Sequence, residues 1–328
     1  MKRRDVKMAN IALLNRCNLR CPYCFADGYL ASDKDDIQKE RFLELLDFCA
    51  PDGSVGIIGG EPLLHPLFDE LMEYVKDDWR FGKITVFTNG IFIDKHLQVF
   101  LDGRVQLLIN LNSPKDIGAS NFERVENGIA LLASRGDLRS VTVGINVYTQ
   151  GQDFSSQLGI IEKFGFKRVR LSVVIPQDKS EGGIPYFLKM KPTLLALYKE
   201  LARLGVSPCY DCNAIPECVF TSEERAVLAS LPFSSEFERE IFMGKRSVCS
   251  PVIDIYPDKS ATRCFGCYGM KRVMIDEFES IGDLRNYFFK EIDARLVHNY
   301  PSPECADCYK NKVFGCFGGC LCYLEEKK

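Results

Sequence analysis

The chain contains no run of eighteen apolar residues, so no segment is long enough to span a bilayer as a helix. Its amino end passes from MKRRDVK into MANIALLNRCN with no apolar h-region or small-residue cleavage site. A secretory signal is therefore not expected, and the chain reads as cytoplasmic with no membrane partner. An excess of one charge is also missing: 42 Lys and Arg face 45 Asp and Glu, a formal net charge of −3. That balance gives no electrostatic reason to expect nucleic acid. There is no internal repeat and no low-complexity tract. Cysteine is absent from residue 50 to residue 208, although the whole chain holds fifteen.

Those fifteen are crowded elsewhere. Three lie at 17, 21 and 24, Cys49 stands alone, three lie at 209, 212 and 218, and eight fall between 249 and 322. Without a secretion signal, this density points to metal ligation or redox chemistry instead of structural disulfides. Cys49, in ELLDFCA, reads as a buried inert thiol.

At 328 residues the chain exceeds a comfortable single core, and one large domain with a smaller appendage is the expectation. Up to residue 205, short β-branched runs alternate with amphipathic stretches. Strands are expected at 11–14, 54–58, 83–87, 105–110, 141–148 and 168–175. Helices are expected at 39–49, 65–79, 94–101, 122–135, 155–164 and 192–204. Six β-α units in succession imply an α/β fold with a parallel sheet and chemistry at the carboxyl ends of its strands. After residue 205 the pattern breaks up. VIDIYPDKSATRCFGC reads as a hairpin turning near Asp258 and Lys259. A helix is expected over 281–298, with Leu284, Phe288, Ile292 and Leu296 as its apolar stripe. SPECADCYKNKVFGCFGGCLCY has too few apolar residues to fold without metal.

Cys17, Cys21 and Cys24 follow the first expected strand in CNLRCPYC, with no fourth cysteine nearby. Three thiolates on a four-iron cluster leave one iron open to an exogenous ligand. A zinc loop completed by a distant ligand is the alternative. The next expected strand ends in GIIGGEPLLHP, where Gly59 and Gly60 permit close backbone approach and Glu61 can meet an ammonium group. The third ends in FTNG, with Asn89, and the fourth in INLNS, with Asn110 and Asn112.

The C-x3-C-x2-C spacing with Tyr23 before the last cysteine, GGEP, and TNG together resemble the radical S-adenosylmethionine superfamily. The resemblance implies a partial (β/α)6 TIM-like barrel. It also implies a 4Fe-4S cluster on Cys17, Cys21 and Cys24, and S-adenosylmethionine held at Gly59, Gly60, Glu61, Asn89, Asn110 and Asn146. Asn110 and Asn112 stand where the family reads serine and aspartate, and both can hydrogen-bond a ribose. Asn146, Val174 and Ile175 fall at later strand ends, and ordinary loop polarity or strand core accounts for them equally well.

The C-terminal part resembles the SPASM extension of radical enzymes that modify peptides, a small cysteine-rich iron-sulfur appendage. The chain offers Cys249, Cys264, Cys305, Cys308, Cys316, Cys320 and Cys322. It departs from that pattern in lacking the turn glycine, in a seven-residue middle gap where five is usual, and in a last cysteine that follows by one residue. Two auxiliary 4Fe-4S clusters would need eight thiolates, with Cys267, Cys218, Cys212 or Cys209 as the eighth. Cys305, Cys308, Cys316 and Cys320 also suit a tetrahedral zinc. The implied domains are a barrel over 1–205, a connecting segment over 206–245 and the auxiliary-cluster extension over 246–328.

These resemblances imply a 5′-deoxyadenosyl radical that abstracts hydrogen from a peptide or protein side chain, with the auxiliary clusters accepting an electron. An external reductant such as flavodoxin or ferredoxin would start each cycle. Ribosomal-peptide crosslinking or oxidation is the leading expectation. A formylglycine-forming maturase of the anaerobic sulfatase-maturing type and a zinc-binding scaffold are the alternatives. The first strand lies so near residue 1 that no leader-binding domain is expected ahead of it. Asp254 and Asp258 are general-base candidates, with turn residues as the alternative, the usual place of hairpin aspartates.

Overall fold

A computed structural model of the chain describes residues 8–24, 26, 29–30, 36–136, 138–176, 178, 181–210, 213–233, 235–243, 249, 252–296, 302–313 and 315–324. Cys212 and the expected helix end at 297–298 lie outside the described residues. Ten strands form among them: β1 Ala9–Ala12, β2 Ser54–Ile58, β3 Lys83–Thr88, β4 Val105–Asn110, β5 Val141–Val147, β6 Arg168–Val173, β7 Ser207–Tyr210, β8 Ile253–Ile255, β9 Ser260–Thr262 and β10 Val273–Met274. No helix among the described residues is long and apolar enough to cross a membrane.

The chain divides into two compact units that interleave along the sequence. The first comprises Met1–Asn110, Pro114–Thr142 and Pro251–Phe289. Its strands β1, β2, β3 and β4 pair in parallel in that order. All four residues of β1 and all five of β2 are buried, as expected of parallel strands covered on both faces. The covering helices show the matching periodicity. Lys39–Cys49 buries Phe42, Leu45, Leu46 and Cys49, and Phe68–Asp77 buries Phe68, Leu71, Met72 and Val75.

β8 pairs in parallel with the free side of β1, register Ala9 to Ile253, and β9 and β10 follow antiparallel. The hairpin expected around Asp258 and Lys259 is present. Lys259 turns the chain at φ 68°, and the Asp258 carboxylate accepts from the Ser260 amide at 3.0 Å and hydroxyl at 2.6 Å. Residues 251–289 thus belong to the first unit, although sequence order puts them in the extension, because β8 finds its hydrogen-bond partners on β1.

The second unit comprises Leu111–Ser113, Val143–Ser250 and Lys290–Lys328. Here β5, β6 and β7 pair in parallel. β7, with Pro208 inside a four-residue SPCY run, carries no strand signature. The helix expected from Pro192 starts instead at Ile184 and runs to Leu204, with Pro185 in its first turn and Pro192 inside it. Its apolar face, from Ile184 through Phe187, Met190, Leu194 and Leu197 to Leu201, runs unbroken past the proline.

The helix from Ile281 becomes a π-helix over Phe289–Asp293. The reason lies in its stripe. Leu284, Phe288, Ile292 and Leu296 recur every four residues, wider than the 3.6 of an α-helix, and the π turn keeps all four buried.

Candidate functional site

The cysteine loop leaves β1 and is laced onto the end of β2. Leu13 N donates to Ile58 O at 2.9 Å, Gly60 N to Leu14 O at 3.0 Å and Glu61 N to Arg16 O at 3.0 Å. Gly60 makes this approach feasible: a Cβ there would lie 2.2 Å from Arg16 O and 2.9 Å from Cys17 N. At Gly59 a Cβ would lie 2.9 Å from Leu14 O. The Gly-Gly pair, read from sequence as room for a ligand, admits the cysteine loop's own backbone.

Three side chains outside the thiols fix this loop. Arg16 grips Asp36 through two nitrogens at 3.1 and 2.6 Å and also donates to Leu64 O at 3.1 Å. Tyr29 donates its hydroxyl to Leu14 O at 3.0 Å. Its ring packs on Tyr256 at 4.6 Å and Phe265 at 5.6 Å between centroids, in a cluster against which Cys24 also rests. Asn18 accepts from Asn89 Nδ2 at 2.9 Å, tying the loop to the turn after β3.

Glu61 is 1% exposed, and its carboxylate staples two strand ends together. Oε1 accepts from the Thr88 hydroxyl at 2.6 Å and Leu63 N at 3.2 Å, while Oε2 accepts from Asn89 N at 2.7 Å. Desolvation outweighs these bonds and pushes the carboxyl up to about 7. Of its four lone-pair directions, one on Oε2 has no partner among these bonds. Asn89 is similarly engaged, its Oδ1 accepting from Ile91 N at 3.0 Å.

The structure brings Cys17, Cys21 and Cys24 within electrostatic reach of one another, each thiol partly exposed. Burial, then chiefly the negative charge of neighbouring groups, raises Cys17 to about 11 and Cys21 to about 12. Three thiolates held together in this way need a cation to form. Among the described residues no three Cys, His, Asp or Glu side chains converge tightly enough for a single ion. A cubane, whose corners are spread by inorganic sulfide, asks for wider spacing than a single ion does.

Asn110 ends β4 half-buried in the first unit. Asn112 is 4% exposed in the second, and its Oδ1 is buried without a hydrogen-bond partner, the condition of an acceptor awaiting a ligand hydroxyl. Asn146 lies on β5, its Oδ1 at 3.5 Å from Arg170 Nη2. Val174 is buried beyond β6, its amide donating to Val147 O at 2.9 Å, and Ile175 is half-buried. Asp254, on β8, accepts from Asn10 Nδ2 at 2.6 Å and is 2% exposed, so it clamps β8 to β1. Asp258 is engaged in its turn.

The C-terminal thiols separate into sets. Cys264 and Cys267 follow β9 in the first unit, with Cys267 N donating to Cys264 O at 2.9 Å. In the second unit Cys320 interacts with Cys249 and Cys322. Cys305 senses Cys316, Cys218 and Cys308. Asn213, at φ 55°, donates to Val173 O at 2.7 Å and accepts from Cys320 N at 3.2 Å, pinning this segment to the end of β6.

Sequence reading missed Arg16, Asn18, Tyr29 and Asn213 as site-builders. Asn18 at least lies inside the cysteine motif; the others carry no local signal, because their partners are distant in sequence.

Residues 11–154 match the model of the Radical SAM superfamily. This stretch, which holds the three-cysteine loop, GGEP and TNG, is similar to a radical SAM domain. Curated relatives of this domain include a probable GTP 3′,8-cyclase of Methanococcus aeolicus, 26% identical over 175 residues, covering 48% of this chain and 58% of the relative. The GTP 3′,8-cyclase of Chlorobaculum tepidum is 29% identical over 149 residues, covering 44% and 45%. The chain spans about half the length of the curated relatives it matches.

Among solved structures, Streptococcus suis SuiB bound to precursor peptide SuiA superposes with a TM-score of 0.64 at 16% identity, covering 98% of this chain and 73% of that one. The anSMEcpe structure with AdoMet and Kp18Cys peptide gives 0.63 at 18%, covering 95% and 88%. The fold shared with these structures is the radical SAM partial barrel with its α/β parallel sheet, and the likeness runs on through the cysteine-rich C-terminal part.

Proposed function

We propose that the chain is a radical S-adenosylmethionine enzyme that modifies a peptide or protein side chain. In this reading Cys17, Cys21 and Cys24 hold a 4Fe-4S cluster with one open iron. Gly59, Gly60, Glu61, Asn89, Asn110 and Asn146 border the S-adenosylmethionine. Auxiliary 4Fe-4S clusters draw thiolates from Cys249, Cys264, Cys305, Cys308, Cys316, Cys320 and Cys322. The observation that carries it is the convergence of three thiols in a loop braced by Gly60, Glu61 and Asn89.

When bound, the cluster and S-adenosylmethionine together supply a carbon radical able to remove an unactivated hydrogen. The protein's own contribution is placement. Glu61 locks the turn after β3 to the end of β2, Asn89 links that turn to Asn18 in the cysteine loop, and Tyr29 seals the loop's far side. Each group is fixed before a ligand arrives, so little reorganisation opposes binding.

The peptide class is supported by peptide-bound neighbours whose likeness covers nearly the whole chain, cysteine-rich part included. Nucleotide cyclisation is the second reading, supported by the names of relatives that match about half of it. The test is anaerobic incubation with dithionite and S-adenosylmethionine, following 5′-deoxyadenosine. The parent should form it, and Ala at Cys17, Cys21 and Cys24 should abolish it. Ala at Cys305 and Cys308 should spare cleavage and stop peptide product. Product class follows from mass: a crosslinked peptide, a serine or cysteine peptide lighter by one hydrogen pair, or a converted GTP. Absence of 5′-deoxyadenosine from iron-replete parent would refute the enzyme reading.

A further inference from the structure

We propose that Cys218 is the fourth thiolate of the auxiliary iron-sulfur site otherwise built by Cys305, Cys308 and Cys316. The inference rests on the auxiliary-cluster reading above and adds a ligand from outside the extension. Cys218 lies in the short turn Glu217–Val219, and one ion pair brings that turn to the C-terminal cysteines. Lys310, two residues past Cys308, forms an ion pair with Glu217. The other oxygen of Glu217 accepts from Arg225 Nη1 at 2.8 Å, so the carboxylate beside Cys218 is held from both sides.

The same helical turn, Tyr309–Lys312, also positions Cys316: Asn311 donates to Cys316 O at 3.1 Å. The Cys316 sulfur accepts from Gly318 N at 3.3 Å, a bond that strengthens when the sulfur is a thiolate. One turn of helix therefore carries Cys308 at its start, Glu217's partner in its middle and Cys316's at its end.

Electrostatics agree with this placement. Cys305 lies within electrostatic reach of Cys316, Cys218 and Cys308, and Cys218 within reach of Cys316 and Cys308. The four thiols thus form one mutually repelling group. Lys310 and Arg225 lie beside it, cations that would offset the net negative charge of a four-thiolate cluster.

This placement also bears on the early last cysteine, one of the chain's departures from the extension pattern. The structure sets Cys320 with Cys249 and Cys322. Of the thiols beside Cys305, Cys218 is the one that comes from outside the extension.

The test removes the initiating cluster with the Cys17→Ala, Cys21→Ala, Cys24→Ala triple variant, reconstitutes it anaerobically with iron and sulfide, and counts iron. In that background Cys305→Ser and Cys218→Ser should each lower iron by up to about four per chain or convert the site to a three-iron form seen by electron paramagnetic resonance. Cys49→Ala should change nothing. In otherwise unmodified full-length protein, Cys218 is exposed enough to alkylate. It should resist iodoacetamide when iron is loaded and react once iron is stripped.

Iron lost on Cys305→Ser but retained on Cys218→Ser, with Cys218 alkylated equally in loaded protein, overturns the proposal and leaves the auxiliary cluster standing. Loss on Cys209→Ser with none on Cys218→Ser overturns it too. A triple variant that binds no iron overturns the auxiliary-cluster reading, and this inference with it.

Discussion

Glu61 carries a carboxyl raised to about 7 by burial although three donors point at it. A carboxyl that is more basic folded than unfolded binds its proton preferentially in the native state. Its stabilising contribution is complete below about pH 4.5 and is lost as pH rises towards 7. The expected slope over that window amounts to roughly 3 kcal/mol. Glu61→Gln should flatten this slope, seen as the difference between parent and variant denaturant midpoints from pH 5 to 7.5. The amide also sets a donor against the Asn89 or Thr88 donor, so at neutral pH the variant should lose about 1–3 kcal/mol of stability. At Gly60 the expected injury is steric: Gly60→Ala forces the cysteine loop off β2, costing about 1–3 kcal/mol. Iron retained by the reconstituted variant should fall in parallel.

At the scale of elements, the buried ion pair between Arg285 and Asp52 joins the helix Ile281–Phe288 to the turn Ala50–Asp52. The two side chains are 11% and 5% exposed, so the pair is largely shielded from water. Asp52→Ala should therefore leave a stranded guanidinium and cost about 3–5 kcal/mol in thermal or denaturant unfolding. The double variant with Arg285→Met should recover much of that loss.

These pairings mark the limit of what sequence reveals. β2, β3 and β4 and the helix Lys39–Cys49 are legible because their apolar spacing is local, and CNLRCPYC, GGEP and TNG lie at the strand ends where they were expected. β7 is illegible because Pro208 masks it, and the start of the helix Ile184–Leu204 because Pro192 resembles a first-turn proline. The staple from Glu61 to Thr88 and Asn89 and the sorting of the late cysteines are tertiary, with no periodicity to announce them.

Across the whole molecule, the C-terminal segment depends on its thiols. Cys305, Cys316, Cys320 and Cys322 are buried, whereas Tyr309 is 77% and Val313 51% exposed, so apolar burial gives this segment little hold. Ligand binding that favours the native state stabilises in proportion to occupancy. Iron removal under anaerobic chelation should thus open residues 302–324 to limited proteolysis before any part of β1 to β4 is cut. Mass spectrometry of early fragments checks the order.

The late strand β8 has a further consequence during synthesis. Asn10 meets Asp254 across 244 residues of sequence. At ribosomal speeds of about 5–20 residues per second, one side of β1 waits roughly ten to fifty seconds for its neighbour. Throughout that interval a strand that is fully buried in the finished protein presents an open edge, the geometry that recruits foreign strands. Yield in a heterologous host should accordingly depend more on chaperone capacity and growth temperature than on the stability of the finished protein.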